Sequence, residues 1–239
     1  MKKMLITGAT SGIGKALAEH AAQQGYEVIA CGRNQDALAE LSAHDNITGC
    51  QFDVSDEAET RTTLSGQAFD IAVLNAGTCE YVDIDDFEPD MFRRVFEPNF
   101  FGVVNCVNGL LPNLNESKQL VIVDSMARLF PFTRSEAYGA SKAALHYFTK
   151  SLEVDLERRG VCVQSVSPGF VETPLTDKND FEMPMIISAE KAAKDLLTGI
   201  EKQRRSIFFP TLFGLILRTM HNLPAPLQRA LSISMRDKQ

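Results

Sequence analysis

The sequence predicts an α/β fold: a doubly wound, mostly parallel sheet with helices on both faces, built as a single domain over residues 1–239. Three observations predict it. Short apolar runs alternate with helix-length amphipathic segments from residue 3 to residue 209, the order that right-handed β-α-β crossovers produce. Some runs, such as IAVL at 71–74 and LVIV at 120–123, are apolar at consecutive positions, as strands covered on both faces require. No long polar linker interrupts the chain before residue 200, and 239 residues with 44% hydrophobic side chains can close one substantial core without disulfides or metals.

The elements follow in order. Residues 3–7 form the first strand, ending at Gly8, and residues 12–24 carry helical periodicity. YEVIAC at 26–31 is the second strand, followed by a helix over about 34–43. Residues 47–52 make the third strand and 55–65 the third helix, with Ser55 and Asp56 both available as caps. FDIAVL at 69–74 is the fourth strand. A long helix runs from about 89 to 111, and Pro98, which lacks an N–H and crowds the preceding turn, must disturb or divide it. LVIVD at 120–124 is the fifth strand, 138–158 a strong helix and VCVQSV at 161–166 the sixth strand. A further helix covers 188–200, and 206–209 adds a last short strand.

Composition narrows the class. The 24 basic and 31 acidic residues leave a net charge of −7, which favours solubility and disfavours nucleic acid as a partner. Five cysteines at 31, 50, 79, 106 and 162 contain no CxxC pair and read as free thiols of a reducing compartment. Four scattered histidines (20, 44, 146, 221) have no metal-ligand spacing, so no metal is expected. MKKMLITGAT at the start is too short an apolar run for a secretory or membrane-spanning segment, and the expected location is cytoplasmic.

In such a sheet, ligands gather beyond the carboxyl ends of the strands. The first strand is followed by TGATSGIG, in which Gly8, Gly12 and Gly14 permit a tight turn, with Thr10, Ser11 and Ile13 between them. The next helix aims unpaired N–H groups at whatever lies there, and a pyrophosphate is the natural guest. The spacing is GxxxGxG rather than GxGxxG, which leaves an ordinary strand–helix turn as the alternative. The second strand ends Cys31-Gly32-Arg33, without the carboxylate that would hold a free ribose 2′-OH; Asp36 falls inside the next helix. Arg33 suits a 2′-phosphate, which makes NADP(H) the preferred cofactor, with NAD(H) or a merely solvated arginine as alternatives. Ser11 adds no second positive charge.

Asp53-Val54, after the third strand, fits an adenine amino group and ring, or else a helix cap. Asn75-Ala76-Gly77, after the fourth, lets a cofactor lie against backbone. The fifth strand ends at Asp124-Ser125, and thirteen residues beyond Ser125 stands Tyr138, one helical turn before Lys142 on a common face. A phenol is a poor acid–base group at neutral pH, and an adjacent ammonium lowers its pKa. The same spacing occurs at surfaces by chance; the strand-end serine and the glycine loop turn it toward catalysis.

Thr7, Gly8, Gly12 and Gly14, the triplet 75–77, Asn99, Ser125, Tyr138, Lys142, and Pro168-Gly169 with Val171 and Thr173 together resemble the short-chain dehydrogenase/reductase family, over roughly residues 3–173. The resemblance implies a Rossmann-like sheet of seven strands in the order 3-2-1-4-5-6-7 and hydride transfer between a nicotinamide and the carbonyl or alcohol carbon of a small, partly apolar substrate. It implies that Ser125 donates to the carbonyl oxygen, that Tyr138 is the general acid/base, and that Lys142 lowers the tyrosine pKa and holds the nicotinamide ribose. Asn99 would hold a water in a relay from Lys142, and Gly169, Val171 and Thr173 would face the carboxamide. A homodimer or homotetramer is the implied assembly. Leu74, Asp124 and Ser11 depart from the common pattern without removing a catalytic group. A catalytically silent nucleotide-binding sensor or scaffold, and a dehydratase or epimerase of the same family, remain as alternatives.

Residues 172–188 read as a substrate lid, with Phe181, Met183, Met185 and Ile186 as apolar wall, or as an ordinary connection. Met126, Leu129, Phe130 and Phe132 offer an opposite wall, and Arg128 and Arg134 stand to meet a substrate anion or to form a solvated rim. His146 reads as packing or interface. Residues 207–239 are an apolar C-terminal extension with a stripe of Leu212, Leu215, Ile216, Thr219, Met220 and Leu223, then Leu227, Leu231 and Met235. It is too short to span a bilayer; pocket closure and a subunit interface compete, with peripheral membrane contact the least favoured use.

Overall fold

The computed structural model describes residues 1–115 and 117–236. The expected strands form as β1 (Lys3–Thr7), β2 (Glu27–Gly32), β3 (Ile47–Gln51), β4 (Ile71–Leu74), β5 (Gln119–Val123), β6 (Cys162–Pro168) and β7 (Ser206–Phe209). All pair in parallel, in the order β3-β2-β1-β4-β5-β6-β7. From β1 the chain builds outward through β2 to β3, then returns to place β4 on the other side of β1. The carboxyl ends of β1 and β4 therefore flank the switch point.

The helices are α1 (Gly12–Gln23), α2 (Gln35–Leu41), α3 (Glu57–Ser65), α4 (Pro89–Phe96), α5 (Gly102–Leu110), α6 (Glu136–Glu157), α7 (Ala189–Glu201), α8 (Thr211–His221) and α9 (Ala225–Arg236). Alternate residues of each strand feed two cores. Met4 and Ile6 of β1, with Val121 and Val123 of β5, join Leu17 of α1, Leu38 of α2 and Leu196 of α7. Leu5, Leu120 and Ile122 point the other way, onto Leu64 of α3, Leu110 of α5 and Leu145 of α6. Each such buried aliphatic side chain contributes about 1.5–3 kcal/mol.

The long helix expected over 89–111 is divided where Pro98 stands. Between α4 and α5 the chain makes one π turn, Glu97–Phe101, and the Gly102 N–H reaches back five residues to Glu97 O. Gly102 allows this wide turn to press on β3's exit, since a Cβ there would lie 2.7 Å from Val54 Cγ2. β4 starts two residues later than expected, and Asp70 just before it accepts the Lys3 N–H on its side chain at 2.8 Å.

The first stripe expected of the C-terminal extension is split between two faces of α8. On α8 the buried residues are Phe213, Gly214 and Leu217, whereas Leu212, Leu215 and Ile216 face solvent. The helix turns so that the smallest residue, Gly214, meets the body; a Cβ there would stand 2.9 Å from Phe208 Cβ. No helix among the described residues is long and apolar enough to cross a membrane. Residues 237–239 of the extension lie outside the described residues.

Candidate active site and nucleotide cleft

A cleft of about 230 Å³ lies over the switch point. Its floor is the loop after β1, where Gly8 and Gly12 have φ of +67° and +53°, values that favour glycine. A Cβ on Gly8 would lie 2.8 Å from Ala76 Cα, and one on Gly14 would overlap Gly8 O. Gly14 does not line the cleft; it lets the loop fold onto itself, while Gly8, Thr10, Ser11, Gly12 and Ile13 form the surface, with Thr7 behind them. Asn75 fastens this loop to β4: its Nδ2 donates to Thr7 O at 3.2 Å, and its backbone N–H donates to Thr7 Oγ1 at 3.0 Å. Ser11 makes no side-chain cap to α1 and no acidic residue occupies the first turn, so the opening N–H groups of α1 are left for an anion.

Arg33, Asp53, Val54, Ala76, Gly77 and Thr173 complete the walls as expected from the sequence, together with Cys31, Gly32, Phe52, Thr78, Pro98, Pro174 and Leu175, which were not singled out for it. Gly32 is required because Thr10 Cγ2 would stand 2.6 Å from a Cβ there. Arg33 is largely exposed, its Nη1 3.4 Å from Asp53 Oδ2. Of the two roles open to Asp53, it does not cap α3; Asp56 does, accepting the Glu59 N–H. Asp53 instead accepts the Ser55 N–H and steadies Arg33.

A second cavity, of about 490 Å³, adjoins the first. Gly77 and Thr78 line the cleft and Cys79 lines the cavity, while Leu175 lines both. Ser125 and Tyr138 stand on the cavity wall with Pro168 and Gly169. Ser125 ends β5 by capping a short 3-10 turn, its Oγ accepting the Ala127 N–H at 3.1 Å. Lys142 is buried below the junction of the two spaces. Its Nζ donates to Val123 O at 3.1 Å, lies 5.9 Å from the Tyr138 ring centroid, and would be 3.4 Å from a Cβ on Gly77. Asn99, fully buried on the π turn, uses both ends of its amide: Oδ1 accepts the Thr78 N–H at 2.7 Å, and Nδ2 donates to Thr78 O and to Ser141 Oγ. In this arrangement Asn99 clamps the strap that runs from cleft to cavity.

The electrostatics differ from the expectation that Lys142 lowers Tyr138. Burial pushes the Tyr138 hydroxyl well above its ordinary value, and the fields of Cys79 and Asp124 add to the rise against hydrogen bonding with Ser125. Burial likewise pulls Lys142 down to about 8, although Asp124 and Cys79 oppose it. Tyr138 is thus held as the acid, and Lys142 titrates just above neutrality.

The rest of the cavity is mostly apolar, with Thr133, Arg134, Ser135, Thr176, Asn179 and Glu182 as its polar lining. Met126, Phe132, Phe181 and Met185 line it as expected, joined by Phe170, Phe213, Leu217, Met220 and Met235. The segment 179–181 is fastened beside it: Tyr81 donates to Asn179 Oδ1 at 2.7 Å and meets the Phe181 ring edge-on, while Arg134 grips Asp180 at 2.9 Å. Met183 and Ile186 stay outside the lining, and Val171 is buried in a bridge to Ile187 rather than exposed to either space.

Three expected pocket residues, Leu129, Phe130 and Arg128, are elsewhere. Leu129 and Phe130 are buried in a cluster with Met126, Phe213 and Leu217, which leaves Met126 and Phe132 on that wall. Arg128 points away from the cavity because the Asp124 carboxylate, fully buried one residue before Ser125, captures it four positions on, with Nε 3.2 Å from Oδ2. His146 Nδ1, at 2.8 Å, and Ser165 Oγ, at 2.8 Å, complete Oδ2, and Ser167 donates to Oδ1. His146 is thus a packing residue with a polar task.

Residues 2–183 match the family model described as short chain dehydrogenase. A serine 3-dehydrogenase of Rhizobium radiobacter is 36% identical over 187 residues, covering 72% of this chain and 73% of its own. An uncharacterized oxidoreductase of Staphylococcus epidermidis is 32% identical over 201 residues, covering 80% of this chain and 87% of its own. A solved short-chain dehydrogenase/reductase from Burkholderia phymatum, in complex with NAD, is similar at a TM-score of 0.79 and 25% identity, over 92% of each chain.

Proposed function

The chain belongs to the short-chain dehydrogenase family, and from that premise we propose that it is an NAD(P)(H)-dependent oxidoreductase, preferring NADP(H), that moves a hydride between the nicotinamide and the carbonyl or alcohol carbon of a small, partly apolar substrate. The observation that carries the reading is the junction of the two spaces, where the strap from Gly77 to Cys79 passes from the anion-ready cleft to Ser125 and Tyr138. The cleft fits a dinucleotide: Gly8 and Gly12 keep clear the floor in front of the α1 N-terminus, and Arg33 stands where a ribose phosphate would need a cation. Bound there, the nicotinamide supplies or accepts the hydride.

The chain's own residues supply the proton and the geometry. Ser125 is placed to donate to a substrate oxygen in the cavity, where negative charge builds during reduction. Tyr138, kept protonated by burial, gives that oxygen its proton. Lys142 places a positive charge under the junction, and Asn99 fixes Thr78 above it. Arg128 is held by the buried Asp124 and stands off the lining, while Arg134, on the lining, pairs with Asp180 at the surface. The walls are otherwise mostly apolar and suit a neutral carbonyl compound.

Titration with NADPH and with NADH, followed by nicotinamide fluorescence, tests the cofactor reading. Arg33→Ala is expected to weaken NADPH binding by about tenfold to a hundredfold, the loss of a charge-assisted contact, and to leave NADH nearly unchanged. Equal weakening of both would take the 2′-phosphate away from Arg33. Binding of neither nucleotide by the unaltered protein would overturn the oxidoreductase proposal itself.

The pH dependence follows from Lys142. Its ammonium is present below about pH 8 and lost above it. The kcat/KM for NADPH reports groups of the free enzyme, and is expected to be level through neutrality and then fall about tenfold per pH unit. A profile that stays level to pH 10 would show that the charge on Lys142 is not used.

A further inference from the structure

The last two helices turn apolar side chains to solvent. Leu212, Leu215 and Ile216 project from one side of α8 at 59, 61 and 40% exposure, and Leu227 and Leu231 of α9 are 52 and 38% exposed. These side chains do not fasten the helices to the body. That is done by Phe213 and Leu217 of α8 and Met235 of α9, which pack with Met126 and Phe130. The family model's match ends at residue 183, before either helix begins. From residue 206 to 236 the chain has no Asp or Glu but three arginines, 218, 229 and 236, in a protein whose net charge is −7. The mouth of the apolar cavity opens beside the stripe, because the exposed Ile216 and Met185 also line the cavity that holds Ser125 and Tyr138.

We propose that the α8–α9 pair is a docking surface for an anionic lipid membrane. Helices of 11 and 12 residues cannot span a bilayer, so they lie in its plane with the leucines entering the acyl boundary. Arg218, whose guanidinium sits 5.3 Å from the Phe208 ring centroid on the flank of the stripe, and Arg229 meet the lipid phosphates. A second copy of the chain would bring the same arginines, 218 and 229, and like charges would face each other. Phospholipid headgroups supply the charge the surface lacks. Burial of the leucines provides most of the attraction, and each arginine close to an anionic surface adds about fivefold. The docking stands apart from the proposed chemistry; only its use, delivery of apolar substrate from the membrane into the cavity, rests on that reading.

The full chain, without nucleotide or substrate, is floated with vesicles of phosphatidylcholine alone or mixed with phosphatidylglycerol. Binding is expected to the mixed vesicles, to weaken at high salt, and to fall by more than about tenfold in the Leu212→Ser/Leu215→Ser variant, with its melting temperature unchanged. Arg229→Gln is expected to lower it about fivefold. Absence of binding to either vesicle, or equal binding by wild type and the serine variant, overturns the proposal. So does a dimer in analytical ultracentrifugation that the serine variant splits into monomers, since the stripe would then be covered by a second copy. Because no turnover is measured, failure of the hydride-transfer reading leaves this result standing, and the reverse holds as well.

Discussion

Tyr138→Phe is expected to lower the turnover of carbonyl reduction by about a hundredfold to ten-thousandfold, the usual worth of a placed general acid, while nucleotide binding and the melting temperature stay unchanged. The ring keeps its packing and loses only the hydroxyl. Cys79 and Tyr81 also stand on the cavity wall, but Tyr81 already donates to Asn179 and neither is paired with Ser125. Ser125 can donate a hydrogen bond but cannot readily give up its proton at neutral pH. The measurement is steady-state NADPH oxidation over a panel of neutral ketones and aldehydes, with product quantified beside it. Unchanged turnover in the variant would remove Tyr138 from the chemistry and with it the mechanism proposed for this site. Product formed without matching NADPH oxidation would point instead to a dehydratase or epimerase.

The second large effect concerns stability. Asp124→Asn is expected to destabilise the fold by about 3–5 kcal/mol, because it leaves Arg128 a buried cation without its counterion. The Arg128 side chain is 10% exposed and that of Asp124 wholly buried, so solvent can do little to compensate. For a chain of this length the melting temperature should fall on the order of 10 °C. Arg128→Met in the same chain is expected to restore part of the loss, and the two single variants should be far from additive. Melting of the Asn variant together with wild type would show that the pair contributes no net stability. A kinetic companion follows from sign: Asp124 raises Lys142, so the alkaline fall in kcat/KM should move to lower pH when that carboxylate is neutralised.

Much of the frame can be read in the chain because few alternatives satisfy it. A strand buried on both faces needs apolar neighbours such as Ala72 and Val73, and their assignment to opposite cores follows from a period of two. Pro98 announces a break in the long helix through its missing N–H, although the kind of break, a π turn that sinks Asn99 beneath Thr78, depends on what surrounds it. Arg128 was misplaced for a readable reason: it stands four residues after Asp124, and a buried carboxylate claims the nearest cation before any ligand does. The upward shift of Tyr138 is not legible in the chain because its cause, burial at the cavity wall, is a property of the assembled walls. The exposed side of α8 was equally hidden, since Leu212 and Leu217 are chemically alike and only Gly214 against Phe208 decides which faces inward.

Leu175 has a consequence for the order of events. It borders both the nucleotide cleft and the apolar cavity, with Thr173 and Pro174 on the cleft side and Thr176 on the other. In the proposed reaction the nicotinamide must pass this residue to reach Ser125 and Tyr138, and a carbonyl compound already seated would stand in its way. On that reading the nucleotide is expected to arrive first and leave last. Product inhibition by the oxidised cofactor should be competitive against its reduced form and noncompetitive against the carbonyl compound. A pattern in which either partner can bind first would mean that the segment at Leu175 yields to both.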